Sequence, residues 1–143
     1  MKWIQNYNAL NLTPSRHKVL SIAEAAFGAI NTDSIVHSKL KYENGSLIVD
    51  GKKYNLSLYK NIKLLGFGKS SYKAVKAIED ILGDRISGGI AIDTHPETCQ
   101  IVKVKQGDHP LPSEKNVTAS NSLVRLAEKC TDEDLVLVVV SGG

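Results

Sequence analysis

The run Leu135-Val136-Leu137-Val138-Val139-Val140 constrains the fold more than any other part of the chain. It is continuously apolar and rich in β-branched side chains, which favours an extended strand. A half-buried strand would alternate polar and apolar residues. This one does not, so the expectation is a strand buried on both faces, as in a parallel sheet flanked by helices.

The sequence before it fits such a sheet. Ile62-Lys63-Leu64-Leu65 reads as a short strand running into Gly66-Phe67-Gly68-Lys69. A helix follows, with Tyr72, Val75, Ile78, Ile81 and Leu82 on one face and Gly83 as its stop. Gly88 to Ile92 and Gln100 to Lys105 read as two more strands. The loop Asp108-His109-Pro110-Leu111-Pro112 then precedes a helix at roughly 113–130, with Val117, Leu123, Val124, Ala127 and Cys130 turned inward. Residues 61–143 are thus expected to form an α/β core.

Two further units come earlier in the chain. Thr13-Pro14 is a helix start, and Val19, Ile22, Ala23, Ala26 and Ile30 recur at helical spacing, so a helix over 14–30 should bury that face. Over 38–58 apolar residues alternate with polar ones, punctuated by Asn44-Gly45 and Asp50-Gly51. That is the pattern of a small antiparallel meander with tight turns, expected as an appendage to the main fold.

At 143 residues the chain has room for one domain with a real core. A net charge of +3 with dispersed lysines, and no basic helix, argues against a nucleic-acid partner. No apolar export segment follows Met1, and the longest apolar run is too short to cross a bilayer. Cys99 and Cys130 lack metal-type spacing and read as reduced thiols, so a cytoplasmic location is expected. The last strand opens into Ser141-Gly142-Gly143 where a helix should follow, which leads to the expectation of an incomplete domain from a longer protein.

Three strand ends carry candidate chemistry. Gly66-Phe67-Gly68-Lys69-Ser70 lies where strand turns to helix, a position that suits close backbone approach and anion binding. It is not an ATPase-type phosphate loop, because Lys63 stands where that motif needs glycine. It half-matches a dinucleotide fingerprint: Ser71 replaces the last small residue, while Asp93 ends the next strand, where a ribose could be held. Lys69 at a helix amino terminus is electrostatically opposed by the helix dipole, and a bound phosphate would remove that conflict; the alternative is a lysine whose stem escapes into solvent. Asp108 and His109 either bind substrate or merely cap and fill a rigid loop. Ser141, Gly142 and Gly143 form either an anion nest or a plain turn. No metal ligands can be assigned.

Taken together, Gly66-Phe67-Gly68-Lys69, the run Ile81 to Gly89, Gly107-Asp108-His109-Pro110-Leu111-Pro112 and the run Asp132 to Gly143 resemble a family of glycerate kinases. In that family an amino-terminal Rossmann-like domain precedes a separate carboxyl-terminal one. The resemblance implies a Rossmann-like sheet, with the second domain absent from this chain. It implies phosphorylation of D-glycerate by ATP with Mg2+, at the 2-hydroxyl, by the complete enzyme, the chain alone being inactive; a homodimer is compatible with it. By that likeness Lys69 is the catalytic lysine of the cleft. Gly66, Gly68, Ser70, Asp108, His109, Ser141, Gly142 and Gly143 would surround the substrate and phosphates. The chain departs from the family pattern at Ser70 and Ser71, where alanines are usual, in the inserted Asp108, and at Ser113 in place of an aspartate. Some family members carry a hydroxypyruvate reductase label. An NAD(P)-linked reductase, motivated by Asp93, and a non-catalytic phosphate-binding or nucleotide-binding module are the other readings.

Overall fold

A computed structural model describes residues 2–95 and 97–142. The helices are α1 (Tyr7–Leu10), α2 (Pro14–Ala29), α3 (Thr32–Lys39), α4 (Ser71–Leu82) and α5 (Glu114–Ala127). The strands are β1 (Leu40–Glu43), β2 (Ser46–Val49), β3 (Lys52–Asn55), β4 (Asn61–Gly68), β5 (Gly88–Asp93), β6 (Val102–Gln106) and β7 (Asp134–Ser141). The fold is mixed α/β, with one antiparallel sheet, β1-β2-β3, and one parallel sheet ordered β6-β5-β4-β7.

The local signals act as expected. Thr13 accepts a hydrogen bond from the Arg16 amide at 3.2 Å, with Pro14 in the first turn of α2. Both meander turns place two successive residues at positive φ: Asn44 and Gly45 at 50° and 73°, Asp50 and Gly51 at 46° and 82°. That backbone matches the right-handed twist of the strands it joins. Helix α3, capped by Asn31, was not foreseen from the sequence.

The meander is not an appendage. Leu47 and Leu56 are fully buried in the same cluster as Ile62, Leu64, Val75, Ile78 and Leu82. Burying one such side chain is worth about 2 kcal/mol, so these contacts bind the small sheet to the core through α4.

The connection β4-α4-β5 steps toward one edge of the parallel sheet, and β6-α5-β7 steps back across it to the other. Right-handed crossovers therefore put α4 and α5 on opposite faces. Helix α4 spans its face, burying Ala74, Val75, Ala77, Ile78 and Leu82. Helix α5 packs mainly on β5 and β6, and beyond it Val138 and Val140 of β7 are exposed.

That geometry corrects the reading of β7. It is an edge strand with one covered face: Leu135, Leu137 and Val139 pack on the core, whereas Val138 and Val140 are 54% and 64% exposed. The expected buried face of α2 is likewise open, with Val19 and Ile22 at 66% and 71% exposure. On α5 only Ala119 is buried, and Val117 and Val124 face solvent. The inward face expected for α5 is thus only partly right, since Ala119, Leu123 and Leu126 are less exposed than Val117, Val124 and Ala127, and on α2 nothing covers the expected stripe among the described residues. Among the described residues no single helix is long and apolar enough to cross a membrane.

One polar contact fastens α4 to the sheet. Glu79 is 5% exposed and its carboxylate accepts the backbone amides of Gln100 at 2.6 Å, Ile101 at 3.1 Å and Val102 at 2.9 Å. Glu79→Gln replaces one acceptor oxygen with a donor that faces those amides. We expect it to lower unfolding free energy by about 3 kcal/mol, read from the urea midpoint; a loss under about 0.5 kcal/mol would mean the amides find water instead.

Candidate functional site

Parallel pairing brings the carboxyl ends of β4, β5, β6 and β7 to one edge, where ligand loops of open α/β sheets emerge. At β4 the chain leaves through Gly68, whose φ is 107°. A Cβ there would stand 1.7 Å from the Ser141 carbonyl oxygen, so the close approach of the β4 and β7 ends requires glycine. The Ser70 amide then donates to Ser141 Oγ at 3.2 Å, tying two of the expected loops together. Ser71 is buried and donates its hydroxyl to the Ile92 carbonyl at 2.7 Å.

Asp93, at the end of β5, takes a place expected for a ligand. It is 5% exposed, and its Oδ2 accepts the Tyr72 amide in the first turn of α4 at 2.8 Å. Its Oδ1 accepts the His95 amide at 3.2 Å and the Thr94 hydroxyl at 3.4 Å. The carboxylate therefore caps α4 from a neighbouring strand and neutralises part of the positive end of its dipole. These contacts engage the carboxylate that the reductase reading would use for a ribose.

The β6–α5 loop is held just as tightly. The Gly107 amide donates to the Asp93 carbonyl at 2.9 Å. Asn116 Oδ1 accepts the Asp108 and Ser113 amides, each at 2.9 Å, and its Nδ2 donates to the Asp108 carbonyl at 3.1 Å. Asp108 accepts the Ser113 hydroxyl at 2.6 Å and pairs with Lys115 Nζ at 3.5 Å. The Ser113 hydroxyl, and after it the Lys115 ammonium, hold the Asp108 carboxyl below its ordinary range.

Between these loops lies a cleft of about 150 Å³ lined by Gly68, Lys69, Asp93, Gly107, His109 and Asn116. It adjoins a wider basin of about 350 Å³ bounded by Lys69, Thr94, His95, Gly107, Asp108 and His109. Lys69 is exposed and forms no ion pair among the described residues. The arrangement can hold a small anion against one ammonium and two imidazoles. No group of three His, Cys, Asp or Glu side chains suited to a metal occurs among the described residues.

The expected site residues thus separate. Gly68, Lys69, Asp108 and His109 line the cleft, and Ser70 lines an adjoining hollow beside Lys69. Ser141 braces the Ser70 amide. Gly66 is buried under α4, where a Cβ would lie 2.7 Å from Val75, so it serves packing. Gly142 is exposed with open space around it. Gly143 lies outside the described residues. Sequence reasoning missed His95, the capping role of Asp93 and the bracket formed by Asn116. A signal for the first was present: Asp93-Thr94-His95-Pro96 and Asp108-His109-Pro110 follow successive strands with similar wording.

The loop contacts can be checked by titration. Asp108 should titrate below the free aspartate value by carboxyl NMR, and Ser113→Ala should move it upward. Because the folded value is depressed, the stability Asp108 adds is present above the unfolded value and is lost as pH falls through the folded one. An unchanged midpoint in Ser113→Ala would remove the serine as the main cause.

A family model described as "Domain of unknown function (DUF4147)" matches residues 18–143. Glycerate 2-kinase of Picrophilus torridus is 27% identical across 98% of this chain and 32% of its own length. Glycerate kinase of Homo sapiens is 28% identical across 84% of this chain and 26% of its own. A crystal structure of a Pyrococcus horikoshii protein superposes with a TM-score of 0.78 at 24% identity, over 92% of this chain and 30% of that one. The chain spans about a third or less of the length of the relatives it matches.

Proposed function

The chain belongs to the DUF4147 family, and we propose that it forms the amino-terminal part of a glycerate kinase that transfers a phosphoryl group from ATP to D-glycerate. The observation that carries this reading is the convergence of Lys69, Asp108 and His109 on one cleft at the sheet edge, with the lysine unpaired among the described residues. The names of the relatives supply the substrate, and those called glycerate 2-kinase supply the 2-hydroxyl as its position.

Phosphoryl transfer asks a protein for positioning and charge neutralisation more than for covalent chemistry. Lys69 would contact an anionic oxygen of the transferred phosphate or of the substrate carboxylate. His109 would donate a hydrogen bond from the facing wall. The Gly68-to-Ser70 turn, braced by the Ser70 amide on Ser141 Oγ, would carry Lys69 at the cleft wall. Asp93 and Asp108 are each engaged by neighbouring groups, so the described residues offer no ready cage for magnesium. Mg2+ would arrive on the nucleotide phosphates, its usual mode of binding. With relatives about three times as long, catalysis belongs to the complete gene product, and the 143-residue chain alone would be inactive.

The test is a coupled ADP assay with D-glycerate, run on the complete gene product and on this chain, with the product identified. We expect 2-phosphoglycerate from the complete product alone. In it, Lys69→Ala should lower kcat/KM by on the order of 10²-fold or more. Turnover within a few-fold of wild type would remove Lys69 from the reaction.

A further inference from the structure

Lys69 was expected to share its phosphate with the free amides of α4. Asp93 already holds one of those amides, at Tyr72, and the Ser70 amide is turned to Ser141. A carboxylate at the helix end also repels an incoming anion. With those two amides engaged, side chains across the basin have the larger share in meeting the anion.

We infer that His95, with His109 and Lys69, forms a pH-sensitive anion cradle that receives a phosphoryl or carboxylate group of the substrates. The inference rests on the kinase reading for its ligands but on geometry for its place. The Asp93 carboxylate accepts the His95 amide, which fixes the turn on which the imidazole is carried. The imidazole Nδ1 lies 2.9 Å from the Thr94 hydroxyl, so the other nitrogen is left for a ligand. Lys69, His95 and His109 bound one basin, from three different strand ends.

The carboxylates around the basin are already engaged by neighbouring groups. Asp93 is spent on amides and a hydroxyl, and Asp108 is paired with Lys115 and Ser113. In the hollow on the other side of His95, Lys69 and Lys73 oppose Glu97. A protonated imidazole donates from both ring nitrogens and carries positive charge, so the cradle should hold an anion more tightly in acid than in base.

The probe is inorganic sulfate, whose charge is constant over this range, titrated calorimetrically into the complete gene product. Binding should be about tenfold tighter at about pH 5.5 than at about pH 8. His95→Gln should remove most of that difference while leaving the pH 8 affinity nearly unchanged. Competition by D-glycerate would assign the cradle to the carboxylate, and competition by ADP to the phosphoryl chain. Sulfate binding that ignores pH, ignores His95→Gln, or is displaced by neither ligand would overturn the inference. His95-dependent sulfate binding in a protein without glycerate-dependent ADP formation would keep the cradle and sink the kinase reading. A working kinase indifferent to His95→Gln would do the reverse.

Discussion

Everything at the candidate site depends on β4 being paired in parallel on both sides, with β5 on one edge and β7 on the other. The register sets Phe67 beside Ile92 and Val140, and Gly68 beside Ser141. Four strand ends therefore stop at one level, and their loops open toward the same solvent. Glycine at 68 is the local condition for this, since any Cβ would collide with the Ser141 backbone. Glycine at 66 is the matching condition beneath, where Val75 of α4 occupies the space a side chain would need.

Two buried carboxylates then fix α4 at its two sides. Glu79 reaches from the helix to three amides at the start of β6, and Asp93 reaches from the end of β5 to the first turn of the helix. Both exploit the same chemistry, an ionised acceptor meeting several backbone donors that would otherwise be buried unpaired. Their consequences differ. Glu79 sits far from the cleft and stabilises. Asp93 sits within it and sets the electrostatics, because a capped helix end no longer opposes Lys69 so strongly and no longer recruits an anion by itself.

The fold was largely legible in the sequence because strand and helix signals there are local. Turn glycines, the Thr13-Pro14 cap and the period of Val75, Ile78 and Leu82 each specify their own segment. What the sequence left open were facts about neighbours. Val138 and Val140 belong to an apolar strand wherever that strand sits, and only the sheet order places them at an uncovered edge. Leu47 and Leu56 alternate as meander residues do, and only packing shows that they belong to the main core.

The candidate site follows the same division. Lys69, Asp108 and His109 could be named because each stands at or within a few residues of a strand end, and position along a strand is a local property. The capping role of Asp93 escaped notice for a reason that is equally physical. An acidic residue at the end of the second strand can reach a ligand or the helix beside it, and residue order is identical in both cases. The distance from Asp93 Oδ2 to the Tyr72 amide decides between them. With that bond and the one from the His95 amide to the same carboxylate, the turn after β5 is held, and His95 reaches the same basin as His109 because β5 and β6 are parallel neighbours. The Asp93 carboxylate, at the end of β5, is turned inward to hold the helix, whereas Asp108, two residues past the end of β6, is turned to its own loop.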